Sequence, residues 1–289
     1  EDAQKYIRNH AQDEQPFFLF ISWGTPHAPA RTAPQEYLDM YDPKEMQLHP
    51  NVPPEMDSMV RVDLAGYYAH CTALDDQIAN ILQTLEETGT SDNTIILFTS
   101  DHGDLLGSHR AYKKQQPYEE SIRVPMLIRH PQVLSGEYSA LMNSYDIMPT
   151  LLGLSDTQIP TSVEGYDFSD YLTEQLPLPD TTTLISCVQP FGQWNRFDRG
   201  GKEYRGIVTL RYTYTRDLNG PWLLFDNQRD PYQMNNLIDK PEYADLQQSL
   251  DNLLTEKLEK QGDEFRPGME YIQEWGYPVD AKQTVPYTR

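Results

Sequence analysis

The most constraining feature of the sequence is a short apolar run that leads into a compact polar group. Residues Ile95 to Phe98 are aliphatic or aromatic, which predicts a strand buried on both faces. The polar group Asp101-His102-Gly103 follows this run. Binding sites of open α/β sheets lie beyond the carboxyl ends of strands, so the sequence predicts a site for a metal ion or an anionic ester here. The alternative is an Asp-Gly turn that only ends the strand.

A long helix is predicted immediately before that strand. Apolar residues recur at helical intervals, which is typical of one face of an α-helix, and Gly89 is expected to stop it. We expect Cys71, which lies on this face, to belong to the core rather than to react. The recurring residues are Leu64, Tyr67, Cys71, Leu74, Ile78, Ile81 and Leu85.

Other segments extend the pattern of alternating strands and helices. The run Phe17–Trp23 predicts an inner strand, and Val124–Ile128 predicts another strand. A short helix is expected from Ser144 to Leu154, with Pro149 inside it, and one more strand over Leu184–Val188. Alternation of this kind predicts an α/β fold with a mainly parallel central sheet flanked by helices.

The last third of the chain has a different character. Bulky and β-forming residues alternate over Tyr204–Arg216, and Asn219-Gly220 is a turn signal before a second strand at Trp222–Asp226. These segments predict a small antiparallel sheet. We therefore expect residues 1–200 to form an α/β domain and residues 201–289 a small C-terminal α+β subdomain. One amphipathic helix completes it, with its apolar face formed by Leu246, Leu250, Leu253, Leu254 and Leu258.

The charge of the chain limits the classes of partner. A net charge of −21 argues against nucleic acid, because that partner requires clustered Lys and Arg side chains. An anionic substrate would need a locally basic site, and we interpret the acidic balance as a solvated surface. The cysteines, Cys71 and Cys187, do not form a disulfide framework. No apolar run approaches the length of a membrane span.

Polar residues in the loops after apolar runs suggest a catalytic site. Asp101 and His102 suit a divalent cation, since a carboxylate supplies oxygen and an imidazole suits zinc but can also complete a calcium shell. Lys114 lies on a loop that can fold back over the same strand end and balance a tetrahedral anion. His27, bracketed by prolines, has the chemistry to protonate a leaving oxygen. Each residue alone is a weak signal, because loop histidines and lysines are common at surfaces.

Several blocks of the sequence, taken together, resemble the formylglycine-dependent sulfatases of the alkaline phosphatase superfamily. The blocks keep the family order from near the start of the chain almost to its end. The fold that this resemblance implies is the carboxyl-terminal part of a sulfatase α/β domain, followed by the small subdomain. The matching blocks are Thr25–Pro29, Ser100–His109, Lys114–Pro125, Tyr145–Leu152 and Asp230–Leu237.

The resemblance also implies roles for individual residues. Asp101 and His102 would ligate a calcium ion, and Lys114 would bind the sulfate oxygens. His27 would contact the sulfate and help to protonate the departing alcohol. The family nucleophile is a hydrated formylglycine, which is made from the first residue of a Cys/Ser-x-Pro-x-Arg motif and attacks sulfur.

The chain departs from the family pattern at the nucleophile. Neither Cys71 nor Cys187 lies in a Cys/Ser-x-Pro-x-Arg motif, and the paired aspartates expected near a sulfatase amino terminus are also absent. We therefore expect an upstream segment to carry the nucleophile, and residues 1–289 alone to lack sulfatase activity. The alternatives are a phosphonate or phosphate ester hydrolase of the same superfamily, and an inactive chain that serves as a binding module. Two-metal phosphatases are disfavoured because no second cluster of ligands follows His109.

The substrate is only weakly indicated. Trp194, Arg196 and Arg205 lie in a segment rich in aromatic residues and arginine, which suits a sugar that carries acidic groups. The resemblance implies a sulfated carbohydrate or an aryl sulfate as substrate, and we favour the carbohydrate, to be bound by these residues, although a structural loop with ordinary surface arginines fits the same pattern. By resemblance to exported sulfatases, we expect a periplasmic or extracellular location. The sequence does not indicate an oligomeric state.

Overall fold

The computed structural model describes residues 1–131, 133, 135–174, 176–190, 201–280 and 285, and it confirms the α/β class. The helices are α1 (Asp2–His10), α2 (Gln35–Leu38), α3 (Asp57–Glu87), α4 (Glu119–Ile122), α5 (Ser144–Leu154), α6 (Ser169–Glu174), α7 (Ala244–Gln261) and α8 (Gly268–Glu274). The strands are β1 (Ile96–Thr99), β2 (Met126–Arg129), β3 (Thr182–Cys187), β4 (Tyr204–Thr209), β5 (Tyr212–Asp217) and β6 (Gly220–Asp226).

The chain divides into two compact units that are not contiguous in sequence. The first unit comprises Glu1–Phe98, Leu106–Tyr112 and Leu127–Val133. The second unit contains the remaining segments, Thr99–Leu105, Lys113–Met126 and Leu134–Arg289. This division does not follow a boundary at residue 200. The antiparallel sheet instead runs across that position, because β3 pairs with β4.

The first unit is organised around the long helix α3. Its fully buried positions include Val60, Ala69 and Leu85, and the helix ends just before Gly89, which has a φ of +70°. A left-handed residue after the last turn is the usual C-terminal stop, so the predicted end is confirmed. Cys71 is exposed, contrary to its predicted place in the core, because it lies off the face that is fully buried.

The second unit contains the antiparallel sheet β3-β4-β5-β6, packed against α7. In the register of this sheet, Ile207 lies opposite Tyr214, which in turn lies opposite Leu224. All three side chains have 0% exposure. They form one core with Leu250 and Leu254 of α7, the apolar face predicted from the leucine spacing.

The predicted single strand over 204–216 is wrong in one detail, because the chain turns back within it. A two-residue connection, Leu210 and Arg211, separates β4 from β5. The hydroxyl oxygen of Thr209 accepts hydrogen bonds from the backbone N–H groups of Arg211 at 3.2 Å and Tyr212 at 2.8 Å. A side chain therefore satisfies the backbone donors of this turn. Neither of its two residues is a Gly, Pro or Asn, the residue types from which a turn is usually predicted.

The run Phe17–Trp23 is not a strand in the structure, so that prediction is wrong. Phe18 and Phe20 are 78% and 79% exposed. The neighbouring side chains Phe17, Leu19 and Ile21 are only half-buried. Apolar residues favour a strand, but a strand also needs a neighbour to which its backbone can hydrogen-bond.

Candidate active site

Asp101 and His102 follow β1, and their side chains face one another. The Oδ2 atom of Asp101 is 3.4 Å from Nε2 of His102. The other ring nitrogen of His102, Nδ1, is 2.7 Å from the carbonyl oxygen of Gly103. Because a carbonyl oxygen can only accept, Nδ1 carries the hydrogen, and in the neutral ring Nε2 presents a lone pair to the carboxylate.

This pair fits the coordination chemistry of a divalent cation. Two lone-pair donors that face each other are stabilised when a positive charge lies near both, and carboxylate oxygen and imidazole nitrogen are common ligand atoms. The carboxylate of Asp101 is 83% exposed and is therefore accessible from solvent. Within the described ranges, no group of three or more His, Cys, Asp or Glu side chains could hold a metal ion. The role of Asp101 and His102 as metal ligands stays a prediction.

The backbone of Gly103 is fixed against α4. Its N–H donates to the carbonyl oxygen of Ser121 at 2.9 Å. A Cβ atom at this position would lie 2.1 Å from the carbonyl oxygen of Glu120, closer than any real contact, so only glycine fits. Because the Gly103 carbonyl also accepts from His102, this fixed residue sets the orientation of the imidazole.

The backbone around Lys114 is tied to the same loop. The N–H of Lys113 donates to the carboxylate of Asp104 at 2.8 Å, and its carbonyl oxygen accepts from the N–H of Leu105 at 2.8 Å. Lys114 is half-buried. The residues on either side of it, Lys113 and Gln115, have left-handed φ values of +68° and +81°. The structure therefore places the backbone of Lys114 in the same compact unit as Asp101 and His102.

His27 lies in the first unit, on an exposed turn. Its N–H donates to the carbonyl oxygen of Gly24 at 3.2 Å, and its Nδ1 is 2.9 Å from the carbonyl oxygen of Ala28. The latter contact again assigns the hydrogen to Nδ1, so Nε2 is the basic atom of the neutral ring.

Arg205, one of the residues expected to bind substrate, is buried inside the second unit. Its side chain is 2% exposed and pairs with the carboxylate of Asp263, and its guanidinium lies 4.7 Å from the ring centre of Phe265. A further hydrogen bond runs to the carbonyl oxygen of Tyr204 at 3.0 Å. This geometry does not support substrate binding by Arg205, because its N–H groups donate to Asp263 and to the carbonyl oxygen of Tyr204 inside the second unit. Trp194 and Arg196 lie outside the described residues.

Sequence reasoning missed the residues that hold α4 in place. The side-chain oxygen of Gln233 accepts from the N–H of Glu119 at 2.9 Å. Burial raises the pKa of Glu119, and Arg123, 3.5 Å away, lowers it in part. Gln233 lies in the block Asp230–Leu237, which carried part of the family resemblance, but no spacing in the sequence connects that block with α4.

Comparison with known proteins identifies the family. The profile of the sulfatase family matches residues 1–157. The chain belongs to the sulfatase family, within the alkaline phosphatase superfamily. A second profile, "N-sulphoglucosamine sulphohydrolase, C-terminal", matches residues 107–261. The family predicted from the sequence blocks is confirmed.

Individual relatives agree with this assignment. The chain is 42% identical to an ulvan-active sulfatase of Formosa agariphila over 99% of its own length and 57% of that protein. The crystal structure of yidJ from Bacteroides fragilis superposes with a TM-score of 0.80 at 31% identity, covering 91% of this chain and 58% of that one. The chain thus spans a little over half the length of these proteins.

A more distant structure shares the fold alone. The phosphonate monoester hydrolase SpPMH of Silicibacter pomeroyi has a TM-score of 0.77 at 23% identity, over 92% of this chain and 61% of that one.

The helices were also compared with what a membrane span requires. Among the helices of the described residues, none combines the length and the apolar composition that crossing a bilayer requires.

Proposed function

We propose that the complete protein is a sulfuric ester hydrolase that removes sulfate from a sulfated carbohydrate. Membership of the sulfatase family supports the reaction class. A relative described as ulvan-active and a profile described by a sulfated amino sugar support the carbohydrate. The observation that carries the proposal is the facing pair Asp101 and His102 at the end of β1, with the loop of Lys114 hydrogen-bonded to the residues that follow it.

Each candidate residue has a role that follows from its chemistry. Asp101 and His102 would hold a calcium ion, which would supply positive charge to the ester oxygens. The ammonium group of Lys114 would bind the sulfate oxygens and stabilise the charge that builds on them in the transition state. His27 would donate a proton to the departing alcohol oxygen, because an alkoxide is a poor leaving group at neutral pH. Trp194 and Arg196 remain proposed contacts for the sugar.

The nucleophile is proposed to lie outside these 289 residues, since they contain no Cys/Ser-x-Pro-x-Arg motif. In this scheme one hydroxyl of a hydrated formylglycine in an upstream segment attacks sulfur, and the alcohol leaves. The second hydroxyl then loses its proton as sulfate is expelled, which regenerates the aldehyde, and water restores the hydrate. Residues 1–289 alone would then bind substrate groups without turnover. A periplasmic or extracellular location for the complete protein is part of the same proposal.

The main test compares the two lysines of the loop in the complete protein. Lys114→Gln is expected to lower kcat for 4-nitrophenyl sulfate by about 100- to 1000-fold, the usual loss when one group that stabilises transition-state charge is removed. Lys113→Gln is the matched control, because it removes the same charge from an exposed neighbour and is expected to retain activity. Equal rates for the two variants would contradict the role of Lys114.

A second candidate function is phosphonate or phosphate ester hydrolysis, favoured only by the shared fold of the phosphonate monoester hydrolase. The complete protein should be assayed with 4-nitrophenyl sulfate, 4-nitrophenyl phosphate and a 4-nitrophenyl phosphonate ester. A higher kcat/KM for the sulfate supports the sulfatase proposal. A higher value for either phosphorus ester would replace it.

The fragment can be tested directly. Purified residues 1–289 are expected to show no turnover of an aryl sulfate, whereas the polypeptide extended by its upstream reading frame is expected to be active. A His27-dependent turnover by residues 1–289 would refute the proposal that the nucleophile lies elsewhere. Binding of sulfated oligosaccharide without turnover, in both forms, would favour a binding module.

A further inference from the structure

The short helix α4 lies, in the hydrogen-bond network, between the loop of His102 and the antiparallel sheet. All of the contacts that follow lie within the second unit. On one side, the carbonyl oxygen of Ser121 accepts from the N–H of Gly103 at 2.9 Å. On the other side, the N–H of Glu119, the first residue of α4, donates to the side-chain oxygen of Gln233 at 2.9 Å.

Gln233 uses both ends of its amide. Its Nε2 donates to the side-chain oxygen of Asn227 at 3.0 Å, and Asn227 donates in turn to the hydroxyl of Thr213 on β5 at 2.8 Å. Gln233 is 2% exposed and has a left-handed φ of +52°. A buried residue in this conformation is held by its surroundings, since the region is unfavourable for a side chain that has a Cβ atom.

The helix α4 depends on this outside support. It has only four residues, and its N-cap residue, Tyr118, makes no side-chain capping bond. Isolated helices of this length are not stable, because nucleation costs more than so few hydrogen bonds return. The side-chain oxygen of Gln233 supplies the missing acceptor at the first turn, as a capping side chain does.

We propose that Gln233 is a positioning residue for the pair Asp101 and His102. It fixes the first turn of α4, α4 fixes the backbone of Gly103, and the carbonyl oxygen of Gly103 orients the imidazole of His102. The proposal rests on the proposed function, in that the oriented imidazole is a ligand of the active site. The structural part of the proposal is that residue 233 fixes the backbone of residue 103. This part does not depend on which ester the protein hydrolyses.

The first experiment replaces Gln233 by methionine in the complete protein. Gln233→Met keeps the volume of the side chain and removes both hydrogen bonds. By analogy with partners of metal ligands, kcat/KM for 4-nitrophenyl sulfate is expected to fall by about 10- to 100-fold. Amide hydrogen exchange in the peptide that contains Gly103 is expected to accelerate, because the acceptor for its N–H is no longer held in place.

The matched control is Gln247→Met. The side-chain oxygen of Gln247 also accepts from a backbone N–H, that of Asp239 at 3.0 Å, but it lies on α7 and makes no hydrogen bond to α4. This variant is expected to retain both the activity and the slow exchange at Gly103. Thermal unfolding of each variant shows whether it is folded at the assay temperature.

A second variant keeps the proposal testable if Gln233→Met does not fold. In Gln233→Glu the carboxylate can still accept from Glu119 but cannot donate to Asn227. Protonation restores the donor, so the activity of the variant relative to the unaltered protein is expected to rise as the pH falls. The carboxylate of Glu119, which accepts from the amide of Asn227 at 3.5 Å, adds negative charge beside this network and favours that protonation, and Arg123 opposes it.

The outcomes separate the two proposals. Absence of turnover of any sulfate ester by the unaltered protein would refute the proposed function, and exchange at Gly103 would still decide the role of Gln233. Equal rates of amide exchange at Gly103 in Gln233→Met and Gln247→Met would overturn the inference. It would also be overturned if the activity of Gln233→Glu, relative to that of the unaltered protein, did not change with pH. Faster exchange in Gln233→Met alone, together with recovery of Gln233→Glu at low pH, would support it.

Discussion

The sheet β3-β4-β5-β6 and the run Phe17–Trp23 are both rich in strand-forming residues, but only the first is a sheet. Within that sheet, β4, β5 and β6 are consecutive antiparallel neighbours, so short turns deliver each strand to its partner. The central strands are then covered by α7, and Tyr214 and Leu224 are completely buried. In the run, Phe18 and Phe20 remain exposed. Apolar composition sets a preference, whereas pairing and cover decide the outcome.

The largest expected difference between the two regions concerns apolar truncation. Leu254→Ala removes a side chain with 0% exposure from the core of the second unit. It is expected to lower the free energy of unfolding by about 3–4 kcal/mol, through lost burial and the cavity that remains. Phe20→Ala, at a residue 79% exposed, is expected to change it by less than about 0.5 kcal/mol.

Urea unfolding of the chain, followed by circular dichroism, measures both changes. If Phe20→Ala were as destabilising as Leu254→Ala, the run would be buried in solution and the contrast between the regions would disappear.

A somewhat smaller effect is expected for a buried ion pair compared with an exposed one. Arg205→Met leaves the carboxylate of Asp263 without its partner and is expected to cost about 2–3 kcal/mol, since Asp263 retains some contact with solvent. Arg129→Met removes an arginine from a pair with the fully exposed Asp92 and is expected to cost less than about 0.5 kcal/mol.

The pH dependence of stability checks the role of the buried pair independently. Burial would raise the pKa of Asp263, but hydrogen bonds from Arg205 and the Phe265 N–H bring it below its usual value. The resulting stabilisation is present above the unfolded pKa of about 3.9 and is lost as the pH falls through the lower folded value. In Arg205→Met, this loss of folding stability at low pH is expected to disappear. If it persisted in the variant, a group other than Asp263 would be responsible for it.

The smallest effect is expected at Glu203, a buried acid whose pKa is shifted in the opposite direction to that of Asp263. Burial raises the pKa of Glu203, whose carboxylate accepts from the N–H of Gly268 at 3.0 Å, with smaller opposing contributions from that bond and from Arg205. The folded protein therefore loses stability as the pH rises from the unfolded pKa of about 4.3 through the raised folded value. Glu203→Gln keeps an oxygen for Gly268 and is expected to be more stable than the unaltered protein at pH 7.

Urea midpoints at pH 7 and at low pH test this expectation, because the advantage of Glu203→Gln should disappear once the acid is protonated. An advantage that is the same at both values would point to packing rather than charge.

Local signals in the sequence predicted the three longest helices of the described residues, α3, α5 and α7, but not the shorter ones, and they predicted the sheet only in part. The leucine spacing of α7 and the glycine after α3 are periodic or short-range features, and both predictions are confirmed. The turn at Leu210 and Arg211 was missed because a threonine hydroxyl, rather than a turn residue, satisfies its donors. The strand over Phe17–Trp23 was wrongly predicted because pairing is not a local property.

The candidate site shows the same division between local and distant information. Adjacent residues such as Asp101 and His102 could be chosen as candidates from their position after a strand, and in the structure their side chains face each other. The burial of Arg205 depends on Asp263, which is 58 residues away, and the support of α4 depends on Gln233, which is 114 residues from Glu119. Contacts over such separations leave no periodicity in the chain, so sequence reasoning could not supply them.

The unusual backbone on both sides of Lys114 has a consequence for engineering. At Lys113 and Gln115 the φ values of +68° and +81° suit glycine better than the residues present. A laboratory selection for heat resistance alone would be expected to favour glycine at either position, because it removes the conformational penalty of a residue with a Cβ atom. Under the proposed role of Lys114, the same replacements would also loosen the position of its ammonium group, so the more heat-resistant variants would have a lower kcat.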